Sequence, residues 1–144
     1  MPAAIPSRLR LQGEIHHVAL RGHSGRALFR IPADREALER ITGELLTEFG
    51  ARAHAFCWMT NHLHLVVEIP PAQMDGFQSD LVARYSVHHN GGLAPDEPLF
   101  EPPDRAFRVN ADAYLLQLIR YVHLNPVRAG LVREAAHYPW SGHR

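Results

Sequence analysis

The chain has 144 residues, 46% of them hydrophobic and 21% charged, with a formal net charge of zero. That is long enough to bury one core and short for two, and the composition is that of a soluble globular protein. No apolar run approaches membrane-spanning length, and the single cysteine excludes an internal disulfide. The opening Met1-Pro2-Ala3-Ala4-Ile5-Pro6 lacks the charged segment and apolar stretch of a secretory signal, so a cytoplasmic protein is expected. Zero net charge argues against a surface that grips nucleic acid everywhere. Residues 1–30, however, carry five arginines against the one acid Glu14, while residues 31–80 carry three arginines against eight acids. A basic N-terminal arm beside a neutral body suits local phosphate contact. All 15 basic residues are arginine, whose planar fork matches phosphate.

Residues 1–12 hold two prolines and no periodicity and read as an extended arm. Glu14 to Arg21 alternates as a strand, closed by Gly22 and the Ser24-Gly25 loop. From Pro32 to Phe49 the signals are helical, with Leu38, Ile41, Leu45, Leu46 and Phe49 on one face and Gly50 as the stop. Ala51 to Met59 suits a central strand, and Thr60-Asn61 turns it into a second strand, His62 to Glu68. Cys57 sits in the apolar run of the first of these and reads as a buried, inert thiol. Met74 to about His89 is a second helix, and the proline-rich stretch from Gly91 to Asp104 is a loop. A short strand around Ala106 to Val109 can close the sheet. A third helix runs from Asp112 to Leu124, with Asn125-Pro126 read chiefly as its stop. The tail through Tyr138-Pro139-Trp140 is expected to pack back on the body.

This order predicts an α+β, ferredoxin-like βαββαβ antiparallel sheet with helices on one face and an extra C-terminal helix. The whole of 1–144 reads as a single domain: arm 1–12, core 13–110, and helix and tail 111–144. Chemistry centres on His62-Leu63-His64-Leu65-Val66-Val67-Glu68. Alternation puts His62 and His64 on the same strand face, roughly 6 to 7 Å apart, where both imidazoles can reach one cation. Tyr85 and His89, four residues apart, share a face of the second helix. If that face overlooks the histidine strand, three imidazoles and a phenol converge. A divalent cation there polarises a phosphodiester while the phenol attacks phosphorus.

The run Cys57 to Glu68 resembles the histidine-hydrophobe-histidine signature of single-tyrosine HUH transposases, specifically their REP-associated tyrosine transposase branch. His17-Val18-Ala19-Leu20-Arg21-Gly22 resembles the first strand of that family. Tyr114 to Val132, which contains Arg120-Tyr121-Val122-His123-Leu124-Asn125-Pro126-Val127-Arg128, is similar to its C-terminal block, as is Tyr138-Pro139-Trp140-Ser141. The three blocks stand in the family's order. The resemblance implies metal-dependent cleavage and strand transfer of single-stranded DNA at hairpin-forming, REP-like sequences, through a 5′-phosphotyrosine and a free 3′-hydroxyl. It implies Mg²⁺ or Mn²⁺ on His62 and His64, Tyr85 as nucleophile, and hairpin DNA as partner in the bacterial nucleoid. Related enzymes are found as monomers and dimers, so a homodimer is among the expected forms. Four-residue spacing selects His89 as the third ligand, whereas Asn90 resembles the family's usual asparagine. Arg21, Arg26, Arg120 and Arg128 are the candidates for phosphate contact. The loop Gly91 to Arg105 departs from the family in being proline-rich and acidic. The chain stops soon after Trp140, where relatives usually continue, which leaves a trimmed chain or a shortened member as the two readings.

Plainer roles stand beside these. On helix spacing alone Tyr85 is a core aromatic, and His88, His89 and Asn90 are a polar helix end. His16 and His17 point to opposite faces of their strand, so at most one approaches the metal. Glu68 has the parity of His62 and His64 and reads as a solvated strand-end acid or a group behind the ligands. Two rival functions remain. One is a domesticated hairpin-binding protein without turnover; the other is a metal-dependent hydrolase in which Tyr85 is structural.

Overall fold

The computed structural model describes residues 13–89, 98–102, 107–109 and 111–142, with side chains for all of these except 107–109 and 111–114. The arm expected over 1–12, Asn90 and most of the proline-rich loop lie outside the described residues. In chain order the elements are β1 (Glu14–Arg21), α1 (Pro32–Glu48), β2 (Arg52–Trp58), β3 (His62–Ile69), α2 (Met74–His89), β4 (Phe107–Val109) and α3 (Ala111–Arg128). Among the described residues the sheet has four strands in the order β2-β3-β1-β4, every neighbouring pair antiparallel. This is the ferredoxin-like arrangement expected from the order of elements, with α3 added.

The sheet separates two apolar layers, and strand parity decides which residue enters which. Val18 and Leu20 of β1 and Leu63, Leu65, Val67 and Ile69 of β3 point toward α1 and α2, meeting Leu38, Ile41, Leu45, Phe77, Leu81 and Tyr85. Ile15 of β1, Ala55 and Cys57 of β2 and Val66 of β3 point the other way, against Val122 of α3 and Tyr138 of the tail. Each strand therefore feeds both layers by alternation alone. The histidine face of β3 is roofed over, and all its residues from Leu63 to Ile69 are buried. Burial pushes the Cys57 thiol up to about 12, with Arg35 opposing, so the sulfur is unreactive packing.

Local chemistry sets the helix ends. Pro32 opens α1 in its first turn, and the Asp34 carboxylate accepts the backbone N–H groups of Arg30 (2.8 Å) and Ile31 (3.3 Å). Gly50 then ends the helix in the left-handed region, φ 61°. Gly22 follows β1, and a Cβ there would overlap the Arg26 carbonyl, so the β1–α1 loop can fold back only around glycine.

Burial raises the pKa of Asp34, but the Arg30 N–H, the His88 side chain and the Ile31 N–H together outweigh it, holding the carboxyl below its ordinary 3.8. A depressed carboxylate stabilises the fold fully above its unfolded pKa and loses that contribution as pH falls through its folded value. Asp34→Ala is expected to cost about 1–2 kcal/mol near neutrality and to flatten the acid limb below the ordinary aspartate range. Urea unfolding across pH measures both effects.

One helix end differs from expectation. Asn125-Pro126 does not terminate α3, which continues to Arg128 with Pro126 inside it. Proline removes one helical N–H, the one that would donate to the Val122 carbonyl, while the carbonyls on either side keep donors. The Tyr121 carbonyl accepts Arg128 Nη2 (2.8 Å) and Asn125 Nδ2 (3.4 Å), and the Asn125 and Pro126 carbonyls accept the N–H groups of Ala129 and Leu131. Beyond α3 the tail returns to β2. Trp58 N–H donates to the Trp140 carbonyl, Gly142 N–H donates to the Phe56 carbonyl, and Tyr138 Oη donates to the Trp58 carbonyl at 2.6 Å. The tail thereby covers part of the β2 edge.

Candidate active site

β1 and β3 run antiparallel with Arg21 opposite His62, Ala19 opposite His64 and His17 opposite Val66. Opposed residues share a face, so His17, Arg21, His62 and His64 all project toward α3. The ring centroids of His62 and His64 lie 5.2 Å apart at 89°. His17 Nε2 lies 3.0 Å from His64 Nδ1. Above them, on α3, the Tyr121 ring is 6.1 Å from His64 and 6.5 Å from His17, edge-on to both. Tyr121 is 47% exposed. The Arg128 guanidinium lies 4.3 Å over its ring.

All three imidazoles are held neutral. Burial lowers His17. Burial and then Arg21 lower His62, with a hydrogen bond to the Asn125 side chain opposing. Burial, the neighbouring His17 and His62, and the charges of Arg21 and Arg128 bring His64 down to about 3. Neutral imidazole is the form that donates a lone pair to a cation. Deeper on the same face, Glu68 is buried and bonded to His54 Nε2 at 2.8 Å. Glu68 is thus a buried, paired carboxylate, not a solvated strand-end acid.

The structure does not bring Tyr85 or His89 to these histidines. Both stand on α2, on the opposite side of the sheet, because α2 packs against the Leu63-Leu65-Val67 face while His62 and His64 alternate away from it. Tyr85 is 0% exposed. Its hydroxyl donates to the Leu28 carbonyl at 2.5 Å, and burial, then Asp34, raises its pKa, with Arg30 and Arg35 opposing. It pins the β1–α1 loop to α2. His89 is buried beside it, ring centroids 6.1 Å apart, with its carbonyl taken by Arg30. Asn90 lies outside the described residues.

Of the four arginines, Arg21 and Arg128 act electrostatically on His64 and flank the site. Arg120 is exposed on α3, one residue before Tyr121. Arg26 belongs to the β1–α1 loop. Reading the sequence missed Tyr121, Asn125 and His17 as members of one cluster. A signal did exist: Tyr121 lies off the apolar stripe Leu115-Leu118-Ile119-Val122 and has an amide four residues on. Nothing in the chain, however, says which sheet face α3 covers.

Among the described residues no group of three or more His, Cys, Asp or Glu side chains is disposed to hold a metal ion. The donor set at this site is two strand imidazoles plus the Asn125 amide, which is in hydrogen-bond contact with His62. Two neutral nitrogens and an amide oxygen fit Mn²⁺ or Mg²⁺ in kind. No helix of the described residues is long and apolar enough to cross a membrane.

The arrangement is a ferredoxin-like sheet whose central strand presents two histidines to a tyrosine-bearing helix on its far side. Among solved structures it is similar to the REP-associated tyrosine transposase bound to a REP hairpin, with a TM-score of 0.77 and 14% identity over 91% of this chain and 77% of that one. At that identity the likeness is one of fold. No family model and no curated protein sequence matches the chain.

Proposed function

We propose that this chain cleaves and rejoins single-stranded DNA at hairpin-forming, REP-like sequences, with Tyr121 as the nucleophile and His62, His64 and Asn125 as ligands of a Mg²⁺ or Mn²⁺ ion. The observation that carries the reading is a half-exposed tyrosine whose ring centroid is held 6.1 Å from that of the neutral His64 by a helix that also carries Arg128. The likeness in fold to a transposase solved with a REP hairpin supports the substrate class. Tyr121 replaces Tyr85 in this role because Tyr85 is buried across the sheet with its hydroxyl committed to Leu28.

In this reading the Tyr121 oxygen forms the bond to phosphorus and the bond to the 3′ oxygen breaks. The phenolic proton is lost and the released sugar oxygen gains one, leaving a 5′-phosphotyrosine and a 3′-hydroxyl. A phosphodiester is exchanged for a phosphodiester, so the step is nearly isoenergetic and reversible. A cation on the two imidazoles and the amide supplies Lewis-acid polarisation of the phosphate. Arg21 and Arg128 flank the histidines and are placed to neutralise and orient the phosphate. Tyr121 and the histidines belong to one chain, so the proposed site needs no partner subunit.

Incubation with a 5′-labelled and a 3′-labelled hairpin oligonucleotide and Mn²⁺ tests the reading on a denaturing gel. Only the 3′-labelled fragment is expected to be retained on the protein, and chelation should abolish the adduct. The zero net charge and the two-imidazole donor set favour, as second reading, a hairpin-binding protein without turnover. Tight hairpin binding with no adduct in any divalent metal would establish that instead.

A further inference from the structure

We infer that His17 is a positioning residue for His64, holding its ring in the tautomer whose Nε2 lone pair is free for a cation. This rests on the metal-dependent reading above. His17 sits one step diagonally along β1 from His64, on the same sheet face, and the residue opposite His64 is Ala19. Alanine leaves the space through which the two rings meet, stacked with centroids 5.2 Å apart and an interplanar angle of 24°. A valine or leucine at 19 would fill it.

The contact is between two ring nitrogens, His17 Nε2 and His64 Nδ1, 3.0 Å apart. Two bare lone pairs repel and two N–H groups clash, so one proton lies between them and one ring donates. If His17 donates, His64 keeps its own proton on Nε2 and cannot bind a cation there. If His64 donates through Nδ1–H, its Nε2, at the far edge of the ring, carries the lone pair. A histidine ligand is oriented in this way by whatever accepts its other N–H, commonly a carboxylate or a carbonyl. His17 Nε2 takes that role here. The buried carboxylate on the same strand face is committed elsewhere: Glu68 is bonded to His54. Tyr121 closes over both rings edge-on, which holds the pair against rotation.

Tautomers are read in the metal-free protein from ¹⁵N shifts of the labelled histidines, and Mn²⁺ affinity from the electron paramagnetic resonance signal of the free ion. In the wild type, His64 is expected as the Nδ1–H form. In His17→Leu it should revert to the Nε2–H form that an isolated histidine favours, with Mn²⁺ bound about 10- to 100-fold more weakly. His17→Gln, whose Oε1 still accepts a hydrogen bond, should restore both tautomer and affinity to within a few-fold of wild type. An Nε2–H wild-type His64 would overturn the inference, as would unchanged Mn²⁺ affinity in His17→Leu. So would a loss in His17→Leu as complete as in His64→Ala, because His17 would then be a ligand itself. Should His17→Leu fail to fold, the wild-type tautomer and the His17→Gln affinity decide. A wild type that shows the Nδ1–H form yet binds no Mn²⁺ would refute the metal reading while leaving the His17–His64 pairing intact.

Discussion

Tyr121→Phe is expected to eliminate covalent capture of hairpin DNA, lowering adduct formation by on the order of 10⁴-fold or more, as loss of an attacking nucleophile does in other enzymes. The substitution deletes one oxygen from a side chain that is 47% exposed, so stability should stay within about 0.5 kcal/mol of wild type. Hairpin affinity should change little, because the aromatic ring and the Arg128 stacked 4.3 Å over it both remain. Adduct yield on a denaturing gel, filter binding and thermal unfolding separate these three quantities. Persistence of the adduct at wild-type level in Tyr121→Phe would remove Tyr121 from the mechanism. Cleavage that persists without any adduct would favour a water nucleophile and the hydrolase reading.

At Tyr85 the expected pattern is the reverse: large losses of stability with the chemistry retained wherever the fold survives. Tyr85→Phe leaves the Leu28 carbonyl without its donor in a site 0% exposed, a cost of about 1–3 kcal/mol. Tyr85→Ala also removes the ring that packs on Phe29 and Phe100, and should cost about 3–5 kcal/mol. The raised phenol pKa gives a matching pH signature. A group whose folded pKa is raised stabilises fully below its unfolded value, here 10.0, and loses that contribution as pH climbs toward the folded one. Tyr85→Phe should therefore narrow its deficit above pH 10, read by urea unfolding at pH 8 and in strong alkali. Loss of the DNA adduct in a folded Tyr85→Phe protein would return Tyr85 to the chemistry and require a rearrangement that carries it across the sheet.

Several parts of this molecule are legible in its sequence alone. The element order needs only hydrophobic period and turn residues: Pro32, Gly50 and the Pro70-Pro71 pair punctuate it, and β1 and β3 fall within a residue of where alternation puts them. The shared face of His62 and His64 follows from strand parity, which is a local rule and survives any packing. Parity likewise allowed only one of His16 and His17 on that face, though it could not say which.

The choice of tyrosine was a different kind of question. Tyr85 and Tyr121 both lie on helices with apolar neighbours and polar residues one turn on, and a helix carries no mark of the sheet face it will cover. That depends on the loops before it and on which layer has apolar area left to bury. Once α1 and α2 cover the Leu63-Leu65-Val67 face, Ile15, Cys57 and Val66 remain uncovered on the other, and α3 with the returning tail buries them. Pro126 misled in the same way: it lies inside α3 instead of ending it, and the Asn125 and Pro126 carbonyls beyond the break still accept the N–H groups of Ala129 and Leu131. The sequence by itself thus determined the strands, the histidine pair and its face, because those depend on neighbours two residues away. Only the tertiary structure decided that Tyr121, Asn125 and His17 surround that pair and that Tyr85 does not, because those are contacts across 47 to more than 100 residues of chain, settled by the burial of two apolar faces.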